Sequence, residues 1–399
     1  MSSASPSDDE LARVVRESSG RLVAMLARRL GNFDVAEEAV ADAVVEALRS
    51  WRTTGVPDNP PAWLMAAAGR NAIDALRREQ RYREKLALVQ EPEMTDTADE
   101  RLPLIFLCCH PALSRDARLA LTLRAVMGLT VPEIARALLV QDSAVAARIT
   151  RAKKKVVAAG IPMVTPSPVE LAERLDLVLT VIYLAYNEGH LSTAGSGRRD
   201  LAEDAIWLAT LVATQLPREP EALGLLALLV LSHARVPARF GADGSLVLMS
   251  DQVRSKWDAS AIAEGRQLVE RAAALHSPGR FQIQAAIAAV HAEAPTFEAT
   301  DWPQILVLYD ALLSYDDSPV VRLNRAVAVA YARSPEEALR EVDALEDSLA
   351  DYHLLHSTRA ELLRAIDRPD EARAEDERAL ALTANAAERA LLAARIGSG

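Results

Sequence analysis

The sequence predicts an all-α protein, and three observations carry that prediction. Gly is limited to 16 of 399 residues and aromatics to 4%, while Ala and Leu are abundant, a composition that favours helix almost everywhere. Apolar residues recur at three- and four-residue spacing in one segment after another, as they do on the buried side of a helix. An internal repeat also lies near the C-terminus. Arg325, Ala326, Pro335, Glu337, Ala338 and Glu341 match Arg359, Ala360, Pro369, Glu371, Ala372 and Glu375 at a shift of 34 residues. That period, with small Ala where two helices approach and Pro in a first helical turn, suits stacked helical hairpins.

At about 150 residues per domain the length suggests two or three domains. The two cysteines are adjacent, Cys108 and Cys109, which excludes a disulfide framework and points to a reducing cytoplasm. Followed by His110, they do not match zinc-ligand spacing. Core thiols are the expectation, with no metal and no cofactor. The apolar stretches, such as 225–231, fall short of the roughly 18 residues that a membrane span needs. The polar, acidic N-terminus has neither a secretory nor a transit pattern.

Charge is distributed unevenly. Residues 1–90 hold 13 bases and 13 acids, and 91–100 hold five acids and no base. Residues 101–160 hold 10 bases and three acids, whereas 161–399 hold 22 bases and 35 acids. A basic island in an acidic chain is either a solvated helical face or a nucleic-acid site.

Helical spacing covers about 8–30, then about Asp34 to Trp51. The Gly- and Pro-containing stretch 53–61 reads as a loop, and Pro61 fits the first turn of a helix expected to reach about Val89. Residues 90–100 read as a linker. A helical set follows over 100–158, then a second linker, in which Pro162, Pro166 and Pro168 disfavour helix. The remainder is helical, with Phe281–Glu293 and Trp302–Leu313 a candidate earlier hairpin.

Within the basic island, Thr130 and Glu133 have the form of a capping box. Val131, Ile134, Ala135 and Leu138 then share a helix face, and 139–141 make a turn before Asp142 or Ser143 caps a second helix. In that helix Val145, Ile149, Ala152 and Val156 point inward. Arg148, Arg151 and Lys155 point outward, joined by Lys153 and Lys154. Two such helices form a helix-turn-helix, whose second helix enters the DNA major groove. Its Arg and Lys attract phosphate, and Arg can read guanine.

These motifs resemble those of bacterial extracytoplasmic-function sigma factors. The stretches 129–138 and 145–153 are similar to the region four helix-turn-helix of that family. The stretch 34–48 is similar to its region two core helix, and 61–78 to its promoter-melting helix. Further motifs at 183–189, 233–239, 251–257 and 318–327 resemble a subgroup with a tetratricopeptide-like C-terminal extension. The resemblance implies region 2 over 1–90, a linker at 91–100, region 4 over 101–160, a linker at 161–168 and a regulatory extension over 169–399.

It also implies roles. A sigma factor is not an enzyme; it lends promoter specificity to core RNA polymerase. Glu38, Asp42 and Glu46 form one acidic stripe at i, i+4, i+8. By spacing the stripe suits a solvated face or a basic partner equally well, and the family uses this helix against the polymerase β′ clamp helices. Region 4 of the family also meets the β flap. The resemblance assigns the −10 promoter element to Asn59, Trp63, Arg70, Asn71, Asp74, Arg77, Arg78 and Arg81, and the −35 element to Ser143, Arg148, Arg151, Lys153, Lys154 and Lys155. Trp63 has two readings, a stacking surface for a melted base and a core anchor.

In the extension, Asn187, Glu188, His233, Arg235, Arg239, Asp251, Arg254 and Trp257 are polar groups or neighbours of them among apolar helices. They form either a ligand pocket or contact site, or buried ion pairs and caps. The expected partner of the extension is a regulatory protein or the chain's own sigma domains. Two competing functions remain. One is a one-component helix-turn-helix regulator that senses a ligand or partner through its C-terminal helices. The other is a scaffold that does not bind DNA.

Overall fold

The computed structural model describes residues 6–78, 101–138, 140–159, 168–191, 201–241 and 243–397. Among the described residues every regular element is helical, apart from one isolated antiparallel bridge between Phe240 and Leu246. The chain divides into two compact units, Met1–Glu188 with Gly197–Leu201, and Gly189–Ser196 with Ala202–Gly399.

The first unit opens with three helices, α1 (Pro6–Leu30), α2 (Phe33–Thr54) and α3 (Pro60–Arg78). Asn32 caps α2 by accepting from the Val35 amide at 3.2 Å. Phe33, Ala36, Val40, Ala43, Ala47 and Trp51 form its buried stripe. Four of its buried residues are Ala (36, 39, 43 and 47), small enough for α2 to pack on both α1 and α3. α3 begins one residue before the expected Pro61: Asn59 accepts from the Ala62 amide at 3.2 Å and Pro60 occupies the first helical position. The expected extension of this helix to Val89 falls on 79–89, outside the described residues.

The second part of this unit holds α4 (Arg101–Cys108), α5 (Arg115–Ala125), α6 (Val131–Leu138), α7 (Asp142–Ala158) and α8 (Pro168–Leu191). Cys108 and Cys109 are fully buried. Burial pushes both thiols up, Cys109 to about 11. They are core thiols, and Cys109 Sγ lies 3.5 Å from the Thr122 hydroxyl.

α8 is the first helix of the expected C-terminal extension, yet it groups with the N-terminal unit as far as Glu188. Leu175, Val178, Leu179, Ile182, Ala185 and Tyr186 on it are buried. Arg174 donates to the Phe106 carbonyl near the end of α4 at 3.1 Å, and Glu188 pairs with Arg136 on α6. The compact unit therefore runs past the expected linker at 161–168.

The second unit contains α9 (Leu201–Gln215), α10 (Pro220–His233), α11 (Val236–Arg239), α12 (Ala259–Ala273), α13 (Arg280–Glu293), α14 (Trp302–Leu312), α15 (Pro319–Ala332), α16 (Pro335–Asp343), α17 (Glu346–Leu349), α18 (His353–Ala365), α19 (Pro369–Leu382) and α20 (Ala386–Gly397). Every residue from Ala222 to Leu231 on α10 is buried, and α10 packs between α12 and α13. Gly224 makes the crossing with α13 possible, because a Cβ there would lie 2.6 Å from the Gln282 amide nitrogen.

The repeat is visible as geometry. α15 and α18 start 34 residues apart, as do α16 and α19. Each pair carries the same clasp. Arg325 donates to Asp310 at 2.7 Å and to Glu341 at 2.7 Å, and Arg359 donates to Asp343 at 2.8 Å and to Glu375 at 2.9 Å. Glu375 is buried and also meets His356 Nδ1 at 2.6 Å. A buried carboxylate is tolerated when its lone pairs are all used. The segments 281–293 and 302–313 expected as an earlier hairpin coincide with α13 and α14, which pack on each other.

Candidate nucleic-acid interface

On α2, Glu38 and Asp42 are exposed, and Glu46 is half-exposed with the α3 residue Arg70 at 3.5 Å. The acidic stripe thus faces solvent over its first two members. Asn59, just before α3, is exposed, as are Arg70 and Asp74 on it, and Asn71 is partly buried. Asn59 spends its side-chain oxygen on the helix cap. Trp63 is half-buried, its ring set edge-on to the buried Trp51 with centroids 5.5 Å apart. It both anchors the α2–α3 packing and keeps part of its surface outside. Arg77 and Arg78 lie in the last turn of α3 with side chains outside the described set, and Arg81 lies outside the described residues.

α6 and α7 form the expected helix-turn-helix. The capping box closes in both directions: the Glu133 carboxylate accepts from the Thr130 amide at 2.7 Å, and the Glu133 amide donates to the Thr130 hydroxyl at 3.5 Å. The Val140 amide donates to the Ala135 carbonyl at 2.9 Å, turning the chain out of α6. α7 is capped by Gln141 without a side-chain hydrogen bond, so Asp142 and Ser143 are its first helical residues rather than its cap. The acid in that first turn still suits the positive end of the helix dipole.

Val145, Ile149, Ala152 and Val156 bury one face of α7. The opposite face exposes Ser143, Ala147, Thr150, Arg151 and Lys154, with Lys155 exposed at its edge. Arg148 and Lys153 sit differently. Each is partly buried and held by a carboxylate: Arg148 by Asp116 on α5 at 2.9 Å, Lys153 by Glu37 on α2. Charge alone therefore selected two edge residues and passed over Ala147 and Thr150. Helical spacing from Ser143 through Arg151 to Lys154 was the signal that places them.

The comparisons with known proteins meet this geometry. Residues 14–82 match the family described as Sigma-70 region 2, and residues 104–156 match Sigma-70, region 4. The chain thus carries both sigma-70 regions, in that order. Residues 174–273 match a family of unknown function, DUF6596. An uncharacterized protein of Rhizobium meliloti (strain 1021) is 44% identical over 385 residues, covering 92% of this chain and 90% of that protein. No solved structure matches.

The structure separates the polar residues expected to cluster in the extension. Asn187 and Glu188 belong to α8 in the first unit, where Glu188 is taken by Arg136. In the second unit, Arg235 and Arg254 lie over the Trp257 ring, at 5.4 and 4.6 Å. Arg254 is a structural staple. It donates to the carbonyl oxygens of His291 and Ala294 at the end of α13, and to the Thr300 hydroxyl at 3.4 Å. Arg239 lies over Phe240, and Asp251 is exposed in a short 3-10 turn, Met249–Asp251. His233 is partly buried with no partner at Nδ1. Of the eight, then, Arg235, Arg254 and Trp257 share one site here. Among the described residues, no group of three His, Cys, Asp or Glu could hold a metal ion, and no helix is long and apolar enough to cross a membrane.

This site sets a pH dependence through a residue that the sequence did not single out. His291 packs edge-on to Trp302 at 5.2 Å. Burial, then the charges of Arg235 and Arg254, hold its pKa down to about 4 from 6.5. The folded chain keeps His291 neutral, while the unfolded chain protonates it below pH 6.5. Stability is expected to fall as pH drops from about 6.5 to about 4, by on the order of 3 kcal/mol from this group. His291→Phe keeps a ring against Trp302 and should flatten that stretch of the curve in thermal unfolding at successive pH values. An unchanged slope would show that His291 is not its source.

Proposed function

We propose that the chain is a sigma factor of the extracytoplasmic-function type, acting in the cytoplasm with core RNA polymerase and promoter DNA. In this reading the exposed carboxylates of α2 meet a basic surface of the polymerase, α3 engages the melted −10 element, and α7 enters the major groove at −35. The catalytic chemistry stays with the polymerase. The single observation that carries the reading is the order of two sigma regions along one chain. An acidic face on α2 precedes α3, and an exposed polar face on α7 follows. A simple operator-binding regulator has no use for the first of these.

The C-terminal unit is read as a tetratricopeptide-like regulatory extension. Its support is the 34-residue spacing of two helix pairs and the repeated Arg–carboxylate clasp. Stacked hairpins of this kind offer extended surfaces to partners.

Co-elution of the full-length chain with purified core polymerase on gel filtration tests the reading. A stoichiometric complex, displaced by a second sigma factor, is expected. A chain that binds DNA but never co-elutes with core would favour the one-component regulator.

A further inference from the structure

We propose that the second unit holds a binding site for a small ligand that carries a carboxylate or phosphate group on a flat apolar body, built around Arg235, Arg254 and Trp257. All three lie in the second unit, so the site does not depend on the sigma-factor reading. Their two guanidinium groups converge on one indole ring, Arg254 at 4.6 Å and Arg235 at 5.4 Å from its centroid. The hydrogen-bond partners of Arg254 are neutral: the carbonyl oxygens of His291 and Ala294, and the Thr300 hydroxyl. The carboxylate that acts on it, Glu298, is exposed. Both guanidinium charges also reach His291, where, after burial, they are what keeps the imidazole neutral. Positive charges gathered in a partly buried site favour an anion beside them.

Donors without acceptors mark the same place. Trp257 is only 5% exposed, yet its Nε1–H is buried and makes no hydrogen bond. Arg254 Nε and His291 Nδ1 are buried in the same way. An indole or guanidinium nitrogen can only donate, and native proteins pair almost all buried donors because leaving one unmade is costly. An oxyanion brings several acceptor lone pairs at once, and it brings the charge that Arg254's neutral partners do not. Beside these groups stands an aromatic wall. His291 lies edge-on to Trp302 at 5.2 Å, Phe297 lies edge-on to Trp302 at 5.3 Å, and Tyr331 stacks on Trp302 at 4.4 Å. Tyr331 is 54% exposed, so the wall reaches solvent. A few convergent polar groups next to apolar surface is how small-molecule sites are usually built. That pairing suits an aromatic acid or an aryl phosphate better than a bare inorganic ion.

The test titrates the full-length chain, labelled with nitrogen-15, with benzoate and separately with phenyl phosphate at constant ionic strength. The chain has five tryptophans, so its indole N–H signals are few, and Trp257→Phe assigns the Trp257 signal by its loss. At least one of the two anions should move that signal downfield, as a new hydrogen bond to an oxyanion does, and saturate with a dissociation constant of about 1 mM or tighter. The tighter of the two tells a carboxylate ligand from a phosphate one. Acetate and inorganic phosphate, which lack the flat body, should bind about tenfold more weakly or worse. Arg235→Gln is the variant to use, because Arg254 also staples the end of α13, and it should weaken binding by about tenfold or more. The wild-type titration decides the matter whether or not that variant folds. A Trp257 signal that neither anion moves at about 20 mM would overturn the proposal, as would undiminished binding by a folded Arg235→Gln chain. Benzyl alcohol moving the signal as far as benzoate would overturn the oxyanion, and acetate binding as tightly as benzoate would overturn the flat body.

Discussion

Reversing Glu38 and Asp42 to Lys is expected to weaken binding to core RNA polymerase by about two orders of magnitude. The two carboxylates are exposed one turn apart on α2. In the proposed complex each faces a basic surface and becomes partly desolvated. Losing one such attraction and replacing it by repulsion costs about 1.5 kcal/mol or more per site, and every 1.4 kcal/mol is tenfold in affinity. Neither residue belongs to the buried stripe of α2, so the substitution should move folding stability by no more than about 0.5 kcal/mol. Competition against a labelled sigma factor for core, with a melting curve on the same sample, separates the two effects. Unchanged affinity would mean that the stripe is a solvated face. The rim character of the interaction also predicts that the loss appears mainly in the association rate and shrinks as salt is raised.

The second large effect is expected on α7. Arg151 and Lys154 stand on its exposed face, opposite Val145, Ile149, Ala152 and Val156. Arg151→Ala with Lys154→Ala should weaken promoter binding by about 2–5 kcal/mol. The slope of log affinity against log salt should fall by about one for each phosphate that is no longer neutralised. Thr150 is exposed on the same face, one turn before Lys154, so Thr150→Ala should alter sequence preference at one position with little change in the salt slope. Arg148→Ala is expected to behave differently, because Arg148 is held by Asp116 and its removal acts on the α5–α7 packing. A titration series at several salt concentrations distinguishes these outcomes. Equal effects from Arg148 and Arg151 would contradict the assignment of α7's outer face.

Local features of the fold were legible in the sequence because their partners lie within a turn or two of one another. The Thr130–Glu133 box and the place of Pro61 in the first turn of α3 were both set by neighbours in the chain. So was the inward stripe of α7. The 34-residue repeat was legible for a related reason. Arg325 and Arg359 each reach a Glu 16 residues on, so the clasp is written twice in the same register. The cap of α7 was misplaced by one or two residues. Asp and Ser are strong caps by propensity, yet the backbone leaves Gln141 in the extended cap conformation.

Long-range pairing was not legible. Lys153 and Glu37 are 116 residues apart, and Arg136 and Glu188 are 52 apart. Side-chain type does not tell which cation on a basic helix is committed to a distant carboxylate. Composition placed Glu188 with the extension's polar residues, whereas packing gave it to region 4. The same limit dissolved the expected eight-residue cluster into an Arg235–Arg254–Trp257 site and scattered remainders. His291 was missed because nothing in its local sequence reports two arginines converging on it from other elements.

A sigma factor must start transcription, and the function proposed for this chain depends on its doing so. Run-off transcription from a library of genomic fragments is the decisive measurement, using core polymerase with and without the full-length chain. Discrete start sites should appear only when the chain is present and vanish with the Glu38→Lys/Asp42→Lys variant. No chain-dependent start sites, from core that initiates normally with a control sigma factor, would contradict the sigma reading.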